Sequence, residues 1–368
     1  MNPRAPAAPP RAPLDALRDL IVTAGVDALL VSRIENVRYV SGFTGSSAAL
    51  LVTGTEALLA TDSRYAEQAG AQAAGFDVQV EGGIPTLVAA ATAARIGARR
   101  VGFEPDAVSY ETWQGMGRAT RDTADLVLVP CRGLIERLRA IKSASEMALI
   151  ERAVRIATQA YEEVLPLVKP GAVERDLALE IEIRMKQAGA QEVAFDLIVA
   201  SGPRSSLPHG RASDRAVRAG EFIVFDIGAR FEGYHSDMTR TVFTGRPDPR
   251  ARALYQTVLE AQRRAIEAIR PGAAAREVDA AARGFIDEAG HGGRFGHGTG
   301  HGVGLQVHEA PRVGPGSDET LAPGMVLTVE PGIYLPGIGG VRIEDMVVVT
   351  QDGHRVMTTA PTDAWSLE

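Results

Sequence analysis

Two stretches of this chain repeat one another at a fixed offset, and that duplication limits the fold more than any other feature. Lys169-Pro170-Gly171-Ala172 opens a helical stretch ending at Ala188-Gly189, and Arg270-Pro271-Gly272-Ala273 opens another ending at Ala289-Gly290, 101 residues later at both ends. Downstream, Gly220 precedes Asp226 by six residues, and Gly324 precedes Glu330 by six. Each copy continues as a strand pair, Glu221 to Phe243 in the first and MVLTVEPGIY followed by VRIEDMVVV in the second. Self-similarity at fixed spacing marks duplicated supersecondary units. Two such halves packed about a pseudo-twofold axis would form one curved, mainly antiparallel sheet backed by helices.

The strand pairs carry acids where apolar residues belong. Phe222, Ile223, Val224, Phe225 and Ile227 form a β-branched and aromatic run, the mark of a buried strand, with Asp226 in its middle. His235 to Phe243 reads as the returning strand and contains Asp237. With the hairpin tip between Phe231 and Glu232, Asp226 and Asp237 fall opposite each other on one face; a bulge at Gly233 would change that register. Facing carboxylates repel, and buried ones cost several kcal/mol unless compensated. A cation is one compensation; a backbone-bonded Asp226 with an exposed Asp237 is the other reading. The second copy adds Glu330 and Glu344, so the repeat would gather four carboxylates.

Between the hairpins lies FGHGTGHGVGLQVHE, Phe295 to Glu309. Its glycines fit neither GxxxxGK[ST] nor GxGxxG, and are expected to let the backbone approach a ligand. A lone histidine is usually structural. His297, His301 and His308 crowd into twelve residues beside the carboxylate repeat, which argues for a site. Aspartates, glutamates and one histidine make an oxygen-rich donor set that suits Mn²⁺, Co²⁺, Zn²⁺ or Fe²⁺, and a poor structural zinc site. Four carboxylates exceed what one ion needs. Two ions about 3.5–4 Å apart can share bridging carboxylates, acidify a shared water and clamp an oxyanion, so hydrolysis is the reaction class that follows.

The rest of the chain frames this region. Its 368 residues allow two domains. Strand and helix signals alternate from Leu14 to Cys131, predicting an amino-terminal α/β domain over 14–131, with a Pro/Ala-rich loose tail over 1–13. The predicted helices are Leu14 to Thr23, Arg64 to Ala73, Pro85 to Ala94 and Tyr110 to Ala119. Strands are predicted at Asp27 to Val31, Ala48 to Val52, Ala57 to Ala60, near Val78 and Val101, and at Leu126 to Val129. Asn36, Arg38, Tyr39, Thr44, Asp62 and Arg64 read as turn and capping chemistry. A helical linker, 132–142, leads to 143–368, the catalytic domain, which opens on the capping box Ser143-Ala144-Ser145-Glu146 and a helix to about Val164. Net charge of −7 without a basic stripe argues against nucleic acid. Cys131 stands alone, so neither a disulfide framework nor a thiolate zinc cluster is expected. With no apolar run of membrane-spanning length and no signal peptide, a soluble cytoplasmic protein is the expectation.

On these motifs the chain resembles a known family. PHG (Pro208 to Gly210), FDIGARFEGYHSDMTRT, HGTGHGVGLQVHE, VEPGIY and VRIEDM resemble the pita-bread metallopeptidases, and within them the Xaa-Pro peptidases, aminopeptidase P and prolidase. Ser41-Gly42-Phe43-Thr44-Gly45-Ser46 and Thr61-Asp62-Ser63-Arg64-Tyr65 resemble that group's creatinase-like amino-terminal domain. The fold implied is α+β: a pita-bread catalytic domain with a pseudo-twofold repeat, preceded by a smaller α/β domain. The resemblance implies two divalent ions, Mn²⁺ foremost, held by Asp226, Asp237, His301, Glu330 and Glu344, with Asp237 and Glu344 bridging. It gives Glu330 a proton-shuttling role as well. His209, His297 and His308 match the substrate histidines, and Arg342, sharing a strand face with Glu344, is expected to steady that ligand or the substrate.

Creatinase shares the two-domain plan but lacks the metal ligands, whereas methionine aminopeptidase shares the ligands but normally lacks such an amino-terminal domain. A non-catalytic relative would be expected to have lost ligands. The expected activity is release of the N-terminal residue from short peptides with proline second, an Xaa-Pro aminopeptidase; the alternative is an Xaa-Pro dipeptidase, or prolidase. A prolidase needs a cation for the dipeptide carboxylate, for which Arg33, Arg38 and Arg204 are candidates. The resemblance also implies a homodimer.

Overall fold

A computed structural model describes residues 12–121, 125–363 and 365–367. The chain divides into two compact units, Met1–Arg139 and Ala140–Glu368. Most of the expected amino-terminal tail lies outside the described residues; Pro13, its last residue, is instead the first of a helix, where its missing N–H is harmless.

The first unit runs α1 (Pro13–Thr23), β1 (Ala28–Val31), α2 (Ile34–Ser41), β2 (Ala48–Thr53), β3 (Ala57–Thr61), α3 (Ala66–Gln72), β4 (Asp77–Val80), α4 (Pro85–Arg95), β5 (Arg100–Phe103), α5 (Tyr110–Ala119), β6 (Val127–Pro130) and α6 (Leu134–Ala140). Six strands form one mixed sheet in the order β4-β3-β2-β1-β5-β6. One face packs on α1, α2 and α6 through Leu17, Ile21, Val37 and Ile135, and the other on α4 and α5 through Ala89, Ala93 and Met116. The polar cluster splits. Asp62 does cap a short turn by accepting from the Arg64 N–H, but Asn36 is buried on α2, a helix absent from the sequence reading. Its N-cap residue, Arg33, supplies no side-chain cap to α2. Glu104, at the end of β5, reaches back instead, its Oε2 accepting from the Ser32 and Arg33 N–H groups at 2.6 and 2.8 Å.

The second unit begins with α7 (Ala144–Val164), whose capping box forms as the sequence predicts. Then come α8 (Glu174–Gln187), β7 (Glu192–Val193), β8 (Ile198–Ser201), β9 (Phe222–Ile227), β10 (Ala229–Phe231), β11 (Tyr234–His235), β12 (Met238–Thr244), α9 (Pro249–Ala268) and α10 (Ala275–Ile286). The chain closes with β13 (Gly300–Gly302), β14 (Glu309–Val313), β15 (Val326–Val329), β16 (Gly332–Leu335), β17 (Gly339–Arg342), β18 (Asp345–Val349), β19 (His354–Val356) and β20 (Ser366–Leu367). The repeat is physical. Gly171 donates to Val217 O and Gly272 to Leu321 O at matching corners, each glycine at positive φ (95° and 83°) that a side chain would strain. Each half has its own core, α7 and α8 against β8, β9 and β12, and α9 and α10 against β15, β17 and β18.

The hairpins differ from expectation in two respects. They are not continuous ladders, and the sheet is divided into several pieces. In the first hairpin Asp226 pairs with Thr239, and Arg230 with His235. The tip therefore lies between Glu232 and Gly233, both at positive φ (45° and 75°), a twist-matched two-residue turn. Asp237 falls in a break between β11 and β12, not within a strand. The tip is one residue later than expected, so Asp226 and Asp237 sit on the same face but diagonally. In the second hairpin Glu330 and Glu344 occupy facing breaks, and the pairing on either side, Val329 with Asp345 and Gly332 with Arg342, sets them opposite one another.

Candidate metal centre

The breaks put the acids where the halves meet. Glu344 N–H donates to Thr239 O at 3.0 Å, joining the second hairpin to the first. Arg240, 2 % exposed, clamps the same seam, donating to Glu344 O at 2.6 Å and to Asp345 Oδ1 at 2.7 Å. Around it opens a cavity of about 630 Å³. Asp226, Asp237, His301, Glu330, Glu344, His209, His297, His308 and Arg342 all line it. These are the nine residues singled out in the sequence.

At its floor, donor atoms of Asp237, His301 and Glu344 lie within 4.8 Å of one another. His301 Nδ1 faces its neighbour's carbonyl, Gly302 O, at 3.1 Å and so carries the hydrogen. Its Nε2 is left pointing at Glu330 Oε1 (3.3 Å) and Asp237 Oδ2 (3.7 Å), the orientation of a ligand. Thr239 Oγ1 donates to Glu344 Oε2 at 2.7 Å, whereas Glu344 Oε1 is buried with no hydrogen-bond partner. That orphaned oxygen, in an oxygen-rich set with one imidazole, fits a divalent cation.

The charges agree. Burial raises Asp226, Asp237 and Glu344 above the usual carboxylate range; the charges of Glu344 and Asp226 push Asp237 further up, and those of Glu330 and Asp226 do the same for Glu344. Burial acts on Glu330 in the same direction, but the hydrogen bond and charge of His301 outweigh it and hold Glu330 low. His301 is correspondingly raised by Glu330 against the effect of burial. A cluster this short of positive charge is one that a metal ion completes.

Arg342 is a buried cation built into this cluster. It is 3 % exposed and donates through Nη2 to Asp226 Oδ2 (2.6 Å), through Nε to Thr239 Oγ1 (3.0 Å), and through Nη1 to Tyr334 Oη (2.9 Å) and Pro208 O (3.1 Å). It thus touches Asp226 itself, and reaches Glu344 only through Thr239. Tyr334 passes the chain on, its hydroxyl 2.7 Å from His297 Nε2 while His297 Nδ1 faces Gly298 O at 2.8 Å. Both nitrogens of His297 are therefore engaged by the protein. Burial lowers its pKa, as it does that of His308, which the neighbouring His301 lowers further.

Sequence reading did not single out Thr239, which bonds Glu344 across the seam, or Tyr334, which joins Arg342 to His297 within the second half; nor Phe195, Asp196, Arg211 and Arg312, which line the cavity. Gly298 and Gly300 line the cavity, and the glycines of this stretch have a packing role besides. Methyl groups at Gly300 and Gly302 would overlap Thr328 O and Ala310 O, so these glycines let β13 lie close between β15 and β14. Of the proposed carboxylate partners, Arg204 is bonded to Glu174 (3.1 Å), and Arg33 and Arg38 belong to the amino-terminal unit.

Residues 148–351 match the family model for metallopeptidase family M24, and residues 13–141 match the creatinase/prolidase N-terminal domain. The chain belongs to metallopeptidase family M24. An M24 relative, the uncharacterized peptidase YqhT of Bacillus subtilis (strain 168), is 43 % identical over 95 % of this chain and 98 % of its own. Among solved structures, an Xaa-Pro dipeptidase from Bacillus anthracis superposes with a TM-score of 0.92 at 41 % identity, covering 96 % of this chain and 99 % of that one. An X-Pro aminopeptidase from Thermotoga maritima MSB8 gives 0.87 at 37 % identity, covering 96 % and 100 %. The M24 fold, α+β with a creatinase-like domain ahead of the pita-bread unit, is the architecture described above. M24 membership also implies divalent metal, which the donor set suits. Among the described residues, no helix is long and apolar enough to cross a membrane.

Proposed function

We propose that this chain hydrolyses the peptide bond between an N-terminal residue and a following proline, releasing that residue from short peptides. The observation that carries the reading is the meeting of five metal-type donors, three histidines and Arg342 in one cavity. The similarity to the Xaa-Pro dipeptidase and X-Pro aminopeptidase structures supports the same bond specificity. In this reading residues 143–368 form the catalytic domain. Asp226, Asp237, His301, Glu330 and Glu344 would hold two divalent ions, Mn²⁺ foremost. Bound there, divalent ions supply carbonyl polarisation and a water acidified toward neutral pH.

The protein's own groups do the rest. Glu330 takes the proton from the attacking water and returns it to the leaving proline nitrogen. His209 and His308 hold the scissile carbonyl and the charge that develops on it. His297, with both nitrogens engaged, offers its ring to the proline. Phe195, Ile198, Val307 and Val313 give the cavity an apolar wall for the same ring.

A second reading, the dipeptidase, draws on Arg211 and Arg312, which line the cavity and could pair with a free carboxylate. Turnover of an Xaa-Pro dipeptide and of an Xaa-Pro-Yaa tripeptide by the metal-loaded enzyme separates the two. Tripeptide cleavage supports the aminopeptidase, dipeptide cleavage alone supports the second reading, and cleavage of neither overturns both. The reading extends to a cytoplasmic homodimer; a monomeric mass by light scattering across the micromolar range would rule out the dimer.

A further inference from the structure

We infer that Lys142 is a positioning residue for His308, acting through a buried ion pair with Glu309. Lys142 Nζ lies 2.6 Å from Glu309 Oε1, with the two side chains 1 % and 3 % exposed. Lys142 is itself fixed at its backbone, donating to Gly324 O at 2.9 Å beside the Ile141–Met325 bridge. It comes from 167 residues away in sequence to meet the residue that follows His308.

The Glu309 carboxylate fills the inside of the turn that carries His308. It packs against Gly304, where a methyl group would overlap it, and Oε2 accepts from the Gln306 N–H at 3.4 Å. The turn's other end is held by His235, whose backbone N–H (2.8 Å) and Nδ1 (3.2 Å) both reach Gly304 O. His308 projects from between these anchors, its ring edge-on to His301 at 4.2 Å between centroids. A buried carboxylate without its counter-charge draws in water or takes up a proton. Removing the Lys142 charge therefore releases Glu309 from the turn and lets His308 leave its place against His301. The inference rests on the reading of His308 as a substrate contact.

The test uses the full metal-loaded chain and the variants Lys142→Met, Lys142→Arg, Glu309→Gln and Lys142→Met with Glu309→Gln. Lys142→Met is expected to lose about 10²-fold in kcat/KM, mostly in kcat, since an ångström of misplacement costs that much. Its metal content should stay at the wild-type level, and amide hydrogen exchange should accelerate in residues 303–309. Lys142→Arg should recover most of the turnover, and the double variant should exceed Lys142→Met, because no unpaired charge remains. Should Lys142→Met fail to fold, Glu309→Gln carries the test with the same expected signature. Unchanged exchange in 303–309, faster exchange with wild-type turnover, or metal loss in step with turnover would each overturn the inference. If the wild-type chain cleaves no Xaa-Pro peptide, the peptidase reading falls separately, and exchange together with the His308 ring resonances still judges the positioning.

Discussion

Arg342 Nη2 donates to Asp226 Oδ2 at 2.6 Å, from a guanidinium whose other nitrogens hold Thr239, Tyr334 and the Pro208 carbonyl. One buried side chain therefore orients the Asp226 carboxylate, the threonine that bonds Glu344, and the loop bearing His209. Lysine offers a single point of charge and cannot satisfy that fork. Arg342→Lys should lower metal affinity or turnover by about 10–100-fold. Titration of the chelated variant with Mn²⁺ beside steady-state kinetics checks this; wild-type values in both would refute it.

Metal removal should abolish activity, and Mn²⁺ or Co²⁺ should restore it, because burial and mutual repulsion leave Asp237 and Glu344 in need of a cation. Elemental analysis is expected to find two ions per chain. One tightly held ion with full activity would argue against the shared-carboxylate arrangement.

The histidines should separate by role. His301→Ala should lose metal along with turnover. His308→Ala and His209→Ala should keep the metal while losing about 10²–10³ in turnover. Tyr334→Phe leaves His297 Nε2 without its donor, and misorientation of that ring should cost up to about 10²-fold with metal retained. Metal content and thermal melts measured beside kinetics decide, and a His308→Ala that binds no metal contradicts the assignment.

Glu104 supplies a pH test away from the site. Burial raises its pKa from the ordinary value near 4.5, prevailing over the hydrogens donated by Arg33, Asn36 and Ser32. The folded state therefore holds this proton longer than the unfolded one. Its contribution to stability is most favourable below pH 4.5 and declines as pH rises through the raised folded value. The melting temperature of Glu104→Gln relative to wild type should rise from pH 4 to pH 8. A flat or falling difference would refute it.

What could be read in advance follows the reach of the interactions. The capping box of α7 is set within a few residues, and the sequence shows it. The corners at Gly171 and Gly272 bond to Val217 and Leu321, far along the chain, and are legible only because the motif recurs. The N-terminus of helix α2 is capped by Glu104, 71 residues beyond Arg33, so no local signal announces where it starts. The proposed ligand acids stood out because buried acids in apolar runs are costly. Their exact register did not, because Glu232, a non-glycine residue, adopts positive φ and moves the hairpin tip by one. Thr239 looks like an ordinary strand residue until the second half of the repeat lies beside the first and brings Glu344 to it.

The Arg240–Asp345 clamp also bears on how the chain is made. Arg240 leaves the ribosome 105 residues before Asp345 and before the Glu344 carbonyl that it also holds. At about 5–20 residues per second, the nascent first half carries an unpaired arginine at its future centre for roughly 5–20 s. The seam that Arg240 clamps is completed only when the last strands have been made.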